Sequence, residues 1–260
     1  ANPQITLDGT GEGDALGSAV ATAGDVNGDG YADVLVSAIY YEGFIAPTDE
    51  GIVYCLHGGA GGVDGVPDWS ATGIDAYELF GSSLSLAGDV NGDGFGDVVI
   101  GGPGYENGQM GEGRAVVYLG SYTGLETSPA RMYEWNQQAA QVGRAVATAG
   151  DANGDGLADL AIAAPYYDDP EPSEGLVRIY GGTPNGPRAT VDTELESDEA
   201  AANLGFGLAT AGDVNGDGFS DLIVAAPYAD AGGTNRGTVR VHFGAADAYA
   251  AASGFHFDSG

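Results

Sequence analysis

A segment dense in acid and glycine occurs four times in the chain: AGDVNGDGYAD from residue 23, AGDVNGDGFGD from 87, AGDANGDGLAD from 149 and AGDVNGDGFSD from 211. Its first acids, Asp25, Asp89, Asp151 and Asp213, are separated by 64, 62 and 62 residues, so the period holds along the whole chain. Self-similarity at a fixed period requires one supersecondary unit per period, with neighbouring units stacked to share a core. No segment this charged and this rich in glycine suits the interior of a strand or helix, so each copy is a loop.

The flanks of the loop repeat as well. Eight residues before its first Asp stands a glycine after an apolar residue: Leu16-Gly17, Phe80-Gly81, Val142-Gly143 and Leu204-Gly205. Small residues follow, among them Ala19, Ala21, Ser85, Ala145, Ala147 and Ala209, which suit a strand pressed against a close neighbour. After the loop come DVLVSA, DVVIGG, DLAIAA and DLIVAA, short apolar runs without alternation that read as strands covered on both faces. A third strand is expected in GIVYCLHGG, GRAVVYLG, GLVRIYGG and GTVRVHFG, and a weaker fourth in PDWSATG, ARMYEWN, ATVDTEL and GFHFDSG. Four antiparallel strands per unit, joined by turns of Gly, Asn and Pro, describe a propeller blade. The fold class is therefore all-β: a single propeller domain over 1–260, with blades at about 10–72, 73–135, 136–197 and 198–260.

In the loop DVNGDGYAD, side-chain oxygens fall at positions 1, 3, 5 and 9, with glycine at 6. A hard cation takes several oxygens at about 2.3–2.6 Å, and alternate residues of a tight loop can aim them at one point. The candidate ligands of the first loop are Asp25, Asn27, Asp29 and Asp33, with the Tyr31 carbonyl at position 7. The second offers Asp89, Asn91, Asp93, Asp97 and the Phe95 carbonyl; the third offers Asp151, Asn153, Asp155, Asp159 and the Leu157 carbonyl. The fourth offers Asp213, Asn215, Asp217, Asp221 and the Phe219 carbonyl. Three carboxylates crowded into each loop repel one another unless neutralised, and Ca²⁺ fits best, one ion per repeat and four in all. An EF-hand begins in the same way but requires a bidentate Glu at position 12 and flanking helices. Position 12 here is Val36, Ile100, Ile162 or Val224, inside the apolar strand, so the ninth residue is expected to close the site.

These motifs together resemble the FG-GAP repeats of integrin α-subunit propellers and related bacterial and fungal proteins. Phe80-Gly81 supplies the FG element, and Gly101-Gly102-Pro103, Ala163-Ala164-Pro165 and Ala225-Ala226-Pro227 echo the GAP element. Ser37-Ala38-Ile39 departs from it, as do Val142 and Leu204 in place of Phe. The resemblance implies calcium in the hairpin joining the first two strands of each blade. It also implies a ring of seven blades, whereas this chain supplies four. PQITLDG at the start looks like a further fourth strand, which leaves one terminal strand surplus. Three arrangements stay open: a closed four-blade unit, an array completed by a second copy, or a piece of a longer array. Exposed edges would favour self-association through the terminal strands.

Composition limits the partners. The chain has 38 acidic against 7 basic residues, a formal net charge of −31, and every basic residue is Arg. Such a surface repels nucleic acid and anionic membranes. No stretch reaches the roughly 20 apolar residues of a membrane span, and residues 1–9 lack a charged and then apolar leader, as expected of a mature chain or an excised fragment. Cys55 is alone and reads as buried filler.

The loops after each second strand carry Tyr40, Tyr41, Tyr105, Tyr166, Tyr167 and Tyr228 among acids such as Asp168, Asp169, Glu171 and Glu174. These tyrosines either wedge blades together or form a recognition rim for a protein or glycan on the end opposite the calcium loops. Trp69 and Trp135 read as packing groups rather than sugar platforms. His57, His242 and His256 have no zinc spacing, and no Ser stands in a nucleophile elbow, so no enzymatic activity is expected. The leading expectation is a calcium-stabilised extracellular binding or adhesion module, secreted or at the cell surface. The alternatives are a lectin and an architectural domain of a larger secreted protein.

Overall fold

A computed structural model of the chain describes residues 5–9, 11–43, 49–230, 234–246 and 255–258, the last four by backbone alone. Sixteen strands form four antiparallel four-stranded sheets in sequence order, one per repeat. Blade 1 contains β1 (Leu16–Gly24), β2 (Asp33–Ala38), β3 (Ile52–Leu56) and β4 (Trp69–Thr72). Blade 2 contains β5 (Ser83–Gly88), β6 (Asp97–Gly102), β7 (Arg114–Tyr118) and β8 (Arg131–Tyr133). Blade 3 contains β9 (Ala145–Gly150), β10 (Asp159–Ala164), β11 (Leu176–Tyr180) and β12 (Thr193–Glu196). Blade 4 contains β13 (Gly207–Gly212), β14 (Asp221–Ala226), β15 (Thr238–His242) and β16 (Phe255–Asp258). This is the expected propeller architecture, with each acidic loop joining the first two strands of its blade.

Successive blades pack face to face, and every step uses the same pair of faces. Leu35, Val53 and Cys55 of blade 1 meet Val98, Ile100, Val116 and Tyr118 of blade 2. Val99, Ala115 and Val117 of blade 2 meet Leu160, Ile162 and Tyr180 of blade 3, whose Ala161, Val177 and Ile179 meet Leu222 and Val224 of blade 4. Being covered twice, β6 and β10 are buried at every residue, which explains their unalternating sequences. The residue before each conserved-position glycine plugs the seam between blades: Phe80, Val142 and Leu204 are all fully buried, so Val and Leu fill the slot of Phe. Gly81 and Gly205 sit at φ +91° and +86°, with the space for a side chain already taken by Ser37 and Ala163 of the preceding blade.

The four blades form an open series. Inner strands β1, β5, β9 and β13 pack in that order, with no comparable packing of β13 on β1 among the described residues. Val20 is 69% exposed, and Val34, Val36 and Tyr54 share its half-covered face of blade 1. At the other end Ile223, Val239 and Val241 lie on the uncovered face of blade 4. Among the described residues the series does not close as a four-blade unit, because β13 does not pack on β1 and both end faces stay partly uncovered.

A strand in PQITLDG is likewise corrected over Ile5–Gly9, which form none; Pro3 and Gln4 lie outside the described residues. The reason is occupancy, because β4 and β16 fill the fourth slot of the first and last sheets from their own repeats. Thr6–Gly9 instead line a cavity of about 390 Å³ with Leu16, Ala38, Tyr54 and Val66, covering one part of the free face of blade 1.

Among the described residues one ion pair is buried, and it joins the segment before β5 to the start of β7. Arg114 Nε donates to Glu78 Oε1 at 2.6 Å with both side chains almost wholly buried, and the guanidinium lies over the Tyr105 ring at 4.6 Å. Glu78 also accepts the Ile74 and Asp75 N–H groups. Arg114→Ala would leave that carboxylate buried without its cation, so a loss of about 3–5 kcal/mol in urea unfolding is expected. A loss below about 1 kcal/mol would show the pair to be dispensable.

Candidate metal centre

The four acidic loops share one hydrogen-bond scheme. In the first, Asp25 Oδ1 accepts the Gly28 and Asp29 N–H groups at 2.7 and 3.1 Å, and Oδ2 accepts Gly30 N–H at 2.8 Å. Asn27 Oδ1 accepts Asp29 N–H, and Asp29 Oδ1 accepts Tyr31 N–H. Asp89, Asn91 and Asp93 repeat this pattern in the second loop and Asp213, Asn215 and Asp217 in the fourth. In the third, Asp151, Asn153 and Asp155 accept the corresponding Asp155, Gly156 and Leu157 N–H groups. Gly30, Gly94, Gly156 and Gly218 stand at φ between +87° and +94°, the left-handed conformation that the sixth position demands.

The ninth Asp, expected to close the site, is turned inward. Asp33, Asp97, Asp159 and Asp221 are buried, and each ties its loop to the end of the third strand. Asp33 Oδ2 accepts Val26 N–H at 2.8 Å and Oδ1 accepts Gly58 N–H at 2.7 Å. Asp97 holds Val90 and Gly120, Asp159 holds Ala152 and Gly182, and Asp221 holds Val214 and Gly244 in the same way. Burial, with smaller contributions from the neighbouring loop carboxylates, pushes Asp97 up to about 7 and Asp159 up to about 6 against the lowering effect of the two N–H donors.

Each of the first three loops is also locked to the next blade. The Asp25 and Val26 carbonyls accept Gly96 and Ser121 N–H, those of Asp89 and Val90 accept Ala158 and Thr183, and those of Asp151 and Ala152 accept Ser220 and Ala245. The side chain at position 7 rests on the fourth-position glycine of the preceding loop: a Cβ on Gly28 would lie 2.7 Å from the Phe95 ring, and one on Gly154 would lie 2.7 Å from Phe219. At the free ends this contact is missing. Tyr31 is 44% exposed, and a Cβ on Gly216 would meet nothing.

The donor set fits a hard cation in chemistry. It consists of oxygens only, and Asp25, Asn27, Asp29 and Asp33 use N–H bonds that leave further lone pairs on their oxygens. Beside the third loop, Asn153, Asp155 and Asp159 line a cavity of about 310 Å³ with Asp192 and Arg188, room enough for an ion and its water. The loop carboxylates are not gathered on one point, however. Among the described residues, three acidic side chains converge within 4.8 Å only at Glu174, Glu196 and Asp198, at the other end of blade 3.

Other candidate groups are engaged in packing. Tyr167 meets Trp135 edge-on at 5.9 Å and lies near Arg178, while Tyr228 meets Phe206 at 6.4 Å, which favours the wedge role for these two tyrosines. Trp69 and Trp135 are buried, their indole N–H groups donating to the Glu126 carbonyl and the Tyr180 hydroxyl. Burial pushes the Cys55 thiol up to about 12 and, with Arg240, pulls His242 down to about 4. The side chain of His256 lies outside the described residues.

The FG-GAP repeat family pattern matches residues 16–54, 80–118, 142–180 and 205–242. The chain is 34% identical to integrin alpha-PS2 of Drosophila melanogaster over 62% of its length, and 33% identical to integrin alpha-5 of Xenopus laevis over 67%. It is equally similar, at 33% over 64%, to phosphatidylinositol-glycan-specific phospholipase D of Homo sapiens. The aligned part spans 12%, 17% and 21% of those three proteins. One of them bears an enzyme's name, so membership alone does not decide for or against catalysis.

The inward role of the ninth Asp separates it from its neighbours. Asp159→Ala should orphan two buried N–H groups at about 1–3 kcal/mol each, measured by urea unfolding in chelator, whereas Asp155→Ala should cost far less. Equal losses would contradict the assignment. With four matched repeats covering more than half of its residues, the chain belongs to the FG-GAP repeat family.

Proposed function

We propose that this chain is a non-catalytic, calcium-stabilised binding module of the extracellular kind, in which the four loops take Ca²⁺ and the opposite end meets a protein or glycan. The observation that carries the reading is the fourfold oxygen scheme at positions 1, 3, 5 and 9, attached through the ninth Asp to the third strand. The chain's integrin-named relatives support an adhesive role, and its partial sequence similarity to a phospholipase D makes a supporting domain of an enzyme the second reading. A non-catalytic role also agrees with a packed Cys55 thiol and a largely neutral, half-buried His242.

Calcium acts here as a charge neutraliser. Each loop carries three carboxylates, so one ion lowers its formal charge from −3 to −1. Binding to the folded state alone stabilises by about 2.7 kcal/mol per site when free ion is a hundredfold above Kd. Chelation should therefore lower Tm markedly, with recovery on adding calcium. An unchanged Tm after verified metal removal would reject the reading.

The end faces give self-association a concrete form. Blade 4 presents the kind of face that packs forward and blade 1 the kind that packs backward, so two copies fit head to tail. Val36→Lys, on the free face of blade 1, is expected to lower the solution mass of such an assembly without lowering Tm of the separate chain. Sedimentation showing an unchanged assembly would count against this contact.

A further inference from the structure

The convergence of Glu174, Glu196 and Asp198 lies where the loops between second and third strands gather, opposite the four acidic hairpins. Glu174 precedes β11, and Glu196 and Asp198 stand at and just beyond the end of β12. Their carboxylate oxygens all lie within 4.8 Å of one another. Glu174 is fully buried, and neither of its oxygens meets a donor in good hydrogen-bond geometry. The Asp169 backbone N–H acts on it as a donor, partly offsetting the rise in its pKa that burial causes. Glu196 is half-buried and Asp198 exposed, so the cluster opens to solvent on one side.

Blade 2 shows how the same place is built when its charges are contained. Its counterpart of Glu174 is Glu112, equally buried and likewise just before the third strand. Glu134 stands 22 residues later, as Glu196 does from Glu174. There the Asn107 backbone N–H donates to Glu112 Oε1 at 2.5 Å, and the Asn107 amide donates to both oxygens of Glu134 at 3.0 and 3.2 Å. One Asn thus links the two acids and leaves only Glu112 Oε2 unpartnered. In blade 3 the position of Asn107 is Asp169, and that of Asn136 is Asp198; Asn136 and Asp198 share a left-handed backbone at φ +52° and +56°. Two neutral amides have become two carboxylates around a buried acid.

The nearby guanidinium groups are engaged elsewhere. Arg178 pairs with Glu194 at 2.7 Å and lies over the Trp135 ring, and Arg240 donates to the backbone carbonyls of Glu196 and Ser197. Burying an unpaired carboxylate costs several kcal/mol, so a cluster of this kind needs a counter-charge at its centre. Oxygens up to 4.8 Å apart can share a cation whose bonds are about 2.3–2.6 Å long, the range of Ca²⁺, and exceed what the shorter bonds of Mg²⁺ span comfortably.

We infer that blade 3 holds a cation site separate from the four loops, in which Glu174, Glu196 and Asp198 ligate a calcium-class ion and Asp169 adds charge beside it. Asp198, being exposed, leaves the solvent side of the ion to water. The site rests on its own residues and does not depend on whether the loops bind calcium.

The test is the number of calcium ions retained per chain, measured by equilibrium dialysis at millimolar free calcium followed by elemental analysis. Glu174→Gln/Asp198→Asn should retain one ion fewer than the unaltered chain. Asp25→Asn/Asp89→Asn/Asp151→Asn/Asp213→Asn, which weakens the four loops, should keep the ion at blade 3. Should the first variant fail to fold, Asp169→Asn/Asp198→Asn, which restores both amides of blade 2, should lose the same ion and raise Tm in chelator. An unchanged calcium count in either blade 3 variant, or no bound calcium in the unaltered chain, would overturn the site whatever the loops do.

Discussion

The buried ninth carboxylate of each loop is the contact on which the blade depends. Asp33, Asp97, Asp159 and Asp221 each hold two backbone N–H groups, one from the start of the loop and one from the residue pair that ends the third strand. A hairpin can close with glycine alone, but nothing local would fix its position over a strand two connections away. A buried carboxyl whose two oxygens accept two N–H groups does so, since losing either bond would leave a buried donor unsatisfied. The glycine at the receiving end is required by the same approach: a Cβ on Gly58 would fall 2.4 Å from the Ala32 carbonyl oxygen, and one on Gly120 would fall 2.4 Å from that of Gly96.

From this staple the order spreads between blades. The carbonyls at positions 1 and 2 accept N–H groups of the following blade, and the side chain at position 7 lies on the preceding glycine. Loop, blade and neighbour are thus one hydrogen-bonded row. Such nearest-neighbour coupling is general in stacked repeats.

The two ends of the propeller are built on different chemistry. One is a regular line of acidic hairpins whose side-chain oxygens largely answer their own backbone. The other is irregular, with tyrosines and Trp135 packed into seams and with acids whose partners change from blade to blade. Blade 2 joins its two glutamates through Asn107, while blade 3 surrounds Glu174 with further carboxylates. Repetition makes the first end a scaffold; departure from repetition at the second is where individual blades acquire different properties.

Much of this was legible in the chain itself, because the signals are local and occur four times. The period set the number of blades, the apolar runs DVVIGG and DLAIAA marked strands covered on both sides, and Asp, Asn and Gly at fixed positions marked the hairpins. Only the tertiary structure decided the rest. That Asp159 points inward depends on where Gly182 lies, 23 residues away, and no loop pattern contains that distance. The uncovered faces at Val36 and Val241 follow from the lack of packing between the first and last inner strands among the described residues, which no single repeat encodes. PQITLDG looked like a strand by composition, yet strand formation needs a vacant edge, and β4 already occupied it. The acid cluster of blade 3 is likewise spread over residues 174–198, and only the pairing of β11 with β12 brings those carboxylates together.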